Sequence, residues 1–374
     1  MKENSNKKRS VWVTTYNWVD GRLQINTLVD YMSHKSVPWH SRSIWYFFGG
    51  MTLFFFIVQV ITGILLLLYY RPGVDSAYES VKFIISEVSF GWLIRSIHSW
   101  SANLMILTCF IHMFSVYFTH AFRKPREMTW ISGMVLLVLA MTFGFSGYLL
   151  PWNELSFFAT RVGTGMAGSI PLIGNFMMEF LRGGENVTGA TIGRFFGIHV
   201  AVLPGIFTIV LSLHLFFIQR QGISEPGEWE KEPPPPKKYM AFFPNFLLRE
   251  LLIWLIMLNI LAILAVFFPD GIGIVHWPLG VKADAFAPPP EVIRPEWYFM
   301  FAFQTLKFLP PHVLFMEGEL FGIIILSLGG LVWLMVPFWI PRIFKSKNKL
   351  VVYITGWVVL AFIVIMTVLG YLLD

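Results

Sequence analysis

Apolar residues gather along this chain into seven runs, at approximately 44–70, 92–119, 129–150, 195–218, 247–268, 319–341 and 350–372. A helix needs about 20 apolar residues to cross a hydrocarbon layer about 30 Å thick, so each run predicts one crossing. The expected fold is all-α, a polytopic membrane protein with seven transmembrane helices. Polar and basic residues fill the first forty positions without an apolar core, so the first run is expected to serve as its own insertion signal. Within that arm, residues 11–33 mix Trp12, Tyr16, Trp18, Leu23, Ile25 and Leu28 with polar positions, which predicts a helix lying in the membrane interface. From 219 to 246 the pattern breaks into Gln219-Arg220-Gln221-Gly222, then Glu225, Pro226, Glu228, Glu230 and Pro233-Pro234-Pro235-Pro236-Lys237-Lys238, a stiff solvated linker. Four parts follow: an arm at 1–43, a four-helix half at 44–218, the linker at 219–246 and a three-helix half at 247–374. Two connections, 151–194 and 269–318, are too long for plain turns and are expected to carry short helices and function.

Composition and charge sharpen this picture. Hydrophobic residues make up 56% of the chain, charged residues only 13%, and the mean hydropathy is +0.63, which excludes a soluble domain of this length. Lys2, Lys7, Lys8, Arg9, Arg22, Lys35, Arg42, Arg123, Lys124, Arg126, Arg220, Lys231, Lys237, Lys238, Arg249, Arg342, Lys345, Lys347 and Lys349 all fall on one side of the predicted membrane, and nine Lys and Arg fall on the other. The N-terminus is therefore expected inside and the C-terminus outside. The net charge of +6 reads as membrane topology rather than as a nucleic-acid footprint. A single cysteine, Cys109, excludes within this chain a disulfide framework, a cysteine-held iron–sulfur cluster and a C-x-x-C-H haem attachment.

Candidate chemistry lies in four histidines inside the apolar runs: His98 and His112, fourteen residues apart, and His199 and His214, fifteen apart. Fourteen residues of helix rise about 21 Å and turn almost four times, so each pair shares one face at two depths. Gly49 with Gly63 and Gly133 with Gly147 repeat the fourteen-residue spacing in the helices that lack histidine. Imidazole ligates haem iron, and a missing side chain lets a flat macrocycle approach the backbone. The pattern predicts a four-helix bundle holding two bis-histidine haems, His98 with His199 near the outside and His112 with His214 near the inside. Pro204 is expected to absorb the one-residue mismatch. The competing readings are helix packing for the glycines, and hydrogen-bonded glue or a proton relay for the histidines. His34, His40, His120, His276 and His312 lie at run ends or in loops and are expected to be solvated.

Taken with Gly91-Trp92-Leu93-Ile94-Arg95-Ser96, Gly147-Tyr148-Leu149-Leu150-Pro151-Trp152 and Pro295-Glu296-Trp297-Tyr298, these residues resemble the cytochrome b subunit of the Rieske/cytochrome b quinol oxidoreductases. The resemblance covers nearly all of the chain beyond residue 40. Tyr69-Tyr70-Arg71-Pro72, Arg123-Lys124-Pro125-Arg126-Glu127, the fifteen-residue histidine spacing and seven spans rather than eight are similar to the photosynthetic branch, where the subunit is split in two. Here both halves are fused, which suggests a bacterial complex and its cytoplasmic membrane. Three positions depart from that branch. Phe47 stands where a cysteine binds a third haem covalently, so no covalent third haem is expected; Ser115 and Gln219 stand where arginines are usual, with Arg126 or Lys124 as substitutes for the first.

The resemblance implies quinol oxidation at the outer side, one electron passing to a Rieske iron–sulfur protein and on to a c-type cytochrome, the other crossing through the two b haems to an inner quinone, with proton translocation. Glu296 is then the proton acceptor, with Tyr148 and Tyr298 beside it and Arg95 on a haem propionate. Read without that context, Glu296 would cap a helix, the tyrosines would belong to an interfacial aromatic belt and Arg95 would snorkel. A homodimer is expected of the family. Two other classes compete: a haem membrane anchor of a hydrogenase or formate dehydrogenase, which needs neither the Pro295–Tyr298 loop nor a three-helix half, and a proton-relaying transporter, which predicts broken helices and repeat symmetry.

Overall fold

The computed structural model describes residues 10–226, 229, 236–343 and 349–373. Lys2, Lys7, Lys8, Arg9, Glu228, Glu230, Lys231, Pro233, Pro234, Pro235, Lys345 and Lys347 of the patterns above lie outside them. The chain begins with α1 (Val11–Leu23) and α2 (Ile25–Ser33). The expected single interfacial helix is thus two, broken at Gln24 in the left-handed region (φ 51°), where Asp20 accepts hydrogen bonds from the Asn26 backbone and side chain. Then come α3 (Phe47–Leu67), α4 (Ala77–Ser86), α5 (Gly91–Phe118), α6 (Glu127–Leu149), α7 (Glu154–Gly168), α8 (Gly174–Arg182), α9 (Gly189–Gly197) and α10 (Leu203–Gln221). The second half contributes α11 (Leu247–Phe267), α12 (Trp297–Phe308), α13 (Gly318–Leu334), α14 (Val336–Ile343) and α15 (Lys349–Leu372).

Among the described residues six helical segments are long and apolar enough to cross a membrane: Ser43–Leu67, Gly91–Phe118, Glu127–Leu149, Gly189–Gln221, Phe242–Phe267 and Leu350–Leu372. The run at 319–341, expected as one helix, is interrupted. α13 has 17 residues and ends before Met335, and α14 starts afresh. Pro337 has no N–H to give the Trp333 carbonyl, and the Trp339 indole instead donates to the Val332 carbonyl at 2.8 Å.

α3 packs along α5 and α6 along α10, the two pairs meet where α5 touches α6, and α11 leans on α3 and α5. α15 covers α12 and reaches α5. Lipid tails are as apolar as leucine, so close approach and interhelical hydrogen bonds of about 0.6 kcal/mol each hold such contacts. Thr52 bonds Thr108 at 3.1 Å, and the Gln59 amide donates to the His98 carbonyl and the Ser101 hydroxyl, both at 2.5 Å. Where described, the linker is not simply solvated. Tyr239–Ala241 pairs antiparallel with Ser36–Pro38, Trp229 and Met240 are buried, and Glu225 takes Lys237 and Tyr239, tying the linker to the arm.

Candidate functional site

Each of the four histidines, His214 buried and the other three partly so, faces one of the four glycines. A Cβ placed on Gly63 would sit 3.4 Å from His98 Cε1, and one on Gly147 would sit 2.8 Å from His199 Cε1. One level further in, Gly49 would meet His112 at 3.0 Å and Gly133 would meet His214 at 3.2 Å. These levels are called outer and inner here, following the side on which the charge pattern places each end. At the outer level the His98 and His199 ring centroids lie 6.5 Å apart, at 68° to one another. Such a gap accommodates one metal atom bonded to both rings at about 2.0 Å each.

Hydroxyl groups fix the tautomer at three of the four rings. Nδ1 of His98 bonds Thr62 Oγ1, Nδ1 of His199 bonds Ser146 Oγ and Nδ1 of His214 bonds Ser132 Oγ, each at 2.9 Å. Every one of these hydroxyls already donates its own proton to a carbonyl of its helix: Thr62 to Val58 at 2.7 Å, Ser132 to Thr129 at 3.0 Å, Ser146 to Phe143 at 3.1 Å. The oxygen must therefore accept, Nδ1 carries the hydrogen, and the Nε2 lone pair is left for a metal. His112 differs, since its buried Nδ1 has no hydrogen-bond partner. Flanked by side-chain-free notches, the outer pair has the Nε2 donors and the room for a planar iron porphyrin, and the inner pair repeats the glycine notches one level in. Sequence reasoning passed over the hydroxyls, yet their signal is plain: Thr62-Gly63, Ser132-Gly133 and Ser146-Gly147.

A local distortion puts the last two ligands in register. Ile198–Val202 forms a π-turn that contains His199. Pro204 cannot donate to the Val200 carbonyl, and a π-turn takes up one extra residue, so a spacing of fifteen on α10 meets a spacing of fourteen on α6.

Beside the outer level stands an acidic and phenolic cluster. Glu296 is the residue just before α12, and its side chain makes no cap bond to that helix. Burial pushes its carboxyl up from 4.5 to about 7. Tyr148, Tyr298 and Tyr371 all lie within its electrostatic reach. Tyr298 is buried, with its hydroxyl against Gly144 so closely that any Cβ there would overlap it. Gly144 stands one turn from Gly147 on α6, so the phenol and the outer histidine pair adjoin the same helix face. Tyr371 and Gly144 were not singled out from the sequence, because nothing local marks a contact between α15, α12 and α6.

Other candidates have different neighbours. Arg95 gives its guanidinium to Asp270, at 3.2 Å, and to the Trp277 carbonyl, at 2.8 Å, and so fastens the outer connection. Arg126 bonds the Gln221 and Gly222 carbonyls, Lys35 donates to Gln219, and the Ser115 hydroxyl donates to the His112 carbonyl at 2.7 Å. His40 is part-buried and bonds the Tyr46 hydroxyl at 2.7 Å instead of being solvated. Phe47, where the likeness to the photosynthetic branch would put a cysteine, stacks on Phe246 at 4.9 Å. The sequence reading also missed Glu250, in the first turn of α11, whose carboxylate is pressed against Gly50 and accepts from the Trp254 indole at 3.1 Å.

Known proteins resemble this chain over most of its length. A family model described as cytochrome b/b6/petB matches residues 32–222, and one described as cytochrome b(C-terminal)/b6/petD matches residues 282–373. A cytochrome bc complex cytochrome b subunit from Chlorobaculum thiosulfatiphilum is 49% identical over 351 residues, which span 94% of this chain and 79% of that protein. Cytochrome b6 of Prochlorococcus marinus (strain MIT 9303) is 45% identical over 211 residues, 56% of this chain and 96% of its own length. A solved structure described as hyperthermophilic respiratory Complex III superposes with a TM-score of 0.82 at 27% identity, covering 95% of this chain and 91% of its own.

Proposed function

The chain belongs to the cytochrome b family, and from that premise we infer that it is the cytochrome b subunit of a bc-type quinol oxidoreductase complex. The observation that carries the reading is the set of four histidine–glycine pairs at two levels. Haem b, when bound, supplies a one-electron carrier at each level. His98 and His199 would hold the outer iron, His112 and His214 the inner, and Gly49, Gly63, Gly133 and Gly147 would admit the rings. Residues 44–218 form the di-haem unit, 219–246 the linker and 247–374 the three-helix unit that completes the quinol site. α13 rises about 26 Å and completes a seventh crossing with α14.

Glu296 accepts a proton from a quinol hydroxyl and passes it to the outer water, a task suited to a carboxyl that titrates near 7. Tyr298 and Tyr148 shape the pocket and exclude water, and Gly144 lets the Tyr298 phenol lie against α6. Electrons leave on two routes, to a Rieske iron–sulfur protein serving a c-type cytochrome and inward along the bundle. The fusion of both halves in one chain supports a bacterial cytoplasmic membrane, the Lys and Arg pattern supports the N-terminus inside and the C-terminus outside, and family resemblance supports a homodimeric complex. The deciding experiment is a pyridine haemochromogen assay on the purified complex. Two b haems per chain are expected, falling to one in His98→Ala and in His214→Ala; a wild-type count of none or one overturns the assignment.

A further inference from the structure

The three hydroxyls that anchor imidazoles are unevenly divided between the levels. At the outer level both rings are anchored, His98 by Thr62 and His199 by Ser146; at the inner level only His214 is, by Ser132. The fourth position in the same register is Phe48, immediately before Gly49, and its ring stacks on Trp45 at 5.5 Å. Neighbouring hydroxyls are spent elsewhere. Thr52 donates to the Phe48 carbonyl at 2.9 Å, and Ser115 donates to the carbonyl of His112 itself. His112 Nδ1 is left buried and unpartnered.

We propose that this count of hydroxyl-anchored imidazoles, two outside and one inside, sets the direction of electron flow, with His112 as the unanchored ligand that holds the inner iron at the higher potential. The inference rests on the bis-histidine reading above. An Nδ1–H that donates to oxygen pushes electron density toward Nε2, makes the imidazole a more basic ligand and favours the oxidised metal, which lowers the potential. Two such donors act at the outer level and one at the inner, so an electron arriving outside runs inward. Thr62, Ser132 and Ser146 are positioning residues in this scheme, and Phe48 acts by withholding a hydroxyl. A buried polar nitrogen without a partner is destabilising, which gives the omission a reason to exist only if something is gained by it.

The test is a potentiometric titration of both haems in the intact complex, followed by optical absorbance, comparing Phe48→Thr with Phe48→Val. These side chains have the same shape and differ in the hydroxyl. The inner midpoint in Phe48→Thr should lie below that in Phe48→Val by about tenfold in the inter-haem equilibrium, which is about 59 mV for a one-electron couple, while the outer midpoint stays put. Equal inner midpoints overturn the proposal. If position 48 does not tolerate substitution, Thr62→Val decides: it should raise the outer midpoint, and an unmoved outer midpoint refutes the scheme. A haem count on every sample separates the outcomes, because two haems with unchanged potentials sink only this inference, whereas a wild-type complex without them sinks the functional reading beneath it.

Discussion

Replacing Glu296 with Gln keeps the shape of the side chain and removes its ability to accept a proton. The carboxyl titrates at about 7, raised from 4.5 because ionising it in its enclosed position sacrifices hydration. About 10% of it is ionised at pH 6 and about 90% at pH 8 for a pKa of that value, so the acceptor form rises about ninefold over that interval. Quinol oxidation by the wild-type complex should rise by a similar factor and be lost as pH falls through 7, since the protonated form cannot accept. General-base assistance is worth about 10²–10⁴-fold, so Glu296→Gln should turn over slower by a factor in that range, with the rise between pH 6 and 8 flattened. Turnover is followed as reduction of a c-type cytochrome by a quinol analogue, with the haem spectra as a control.

Stability gives an independent reading of the same group. Between 4.5 and 7 the folded protein holds a proton that the unfolded chain has released, so stability falls as pH rises through that window and levels off above it. Glu296→Gln removes this slope, and the variant should resist heat better than wild type at pH 8 while matching it near pH 4.5. A variant that keeps the ninefold rise in rate, or works within about twofold of wild type where a general base predicts far more, would show that the proton leaves by another group.

The glycine notches make a graded prediction: Gly147→Ala, whose Cβ would sit 2.8 Å from His199, should lose its haem most readily, then Gly49→Ala at 3.0 Å and Gly133→Ala at 3.2 Å, while Gly63→Ala at 3.4 Å is an ordinary contact and keeps its absorbance. Gly144→Ala should displace the Tyr298 phenol and slow quinol oxidation while leaving both haems bound and chemically reducible, which steady-state turnover beside a dithionite difference spectrum would reveal. Gly50→Ala drives a methyl into the Glu250 carboxylate and should destabilise the complex by about 1–3 kcal/mol, as overpacking does. Adding Glu250→Ala should recover most of that loss, and additive melting shifts in the double variant would show that the two residues do not press on each other.

Residue spacing made the bundle readable because a membrane helix has one rigid period. His98 and His112 could be placed on one face, and matched to Gly63 and Gly49, by counting alone, since 3.6 residues per turn holds along all of α5 and α3. Counting failed where the period itself changes. The interval of fifteen on α10 needed the π-turn at Ile198–Val202, and the apolar run at 319–341 did not announce that Pro337 would divide it. Apolarity alone fixes the presence of a span but not its continuity, because a lost backbone hydrogen bond leaves the hydropathy of the run unchanged.

The residues that went unread share a different cause. Thr62, Ser132 and Ser146 each touch a histidine on a neighbouring helix, Glu250 touches Gly50 across α3 and α11, and Tyr371 joins Glu296 from the far end of the chain. None of these contacts is written in local spacing, and each depends on which helices pack together. Yet the hydroxyl-before-glycine pairs were visible in principle. A notch glycine already marks where a ring will lie, and a small hydroxyl residue beside it is the shortest side chain able to accept from that ring. Applied to Phe48-Gly49, the same rule marks the one notch where the acceptor is missing, at the ring whose Nδ1 the fold leaves unpaired.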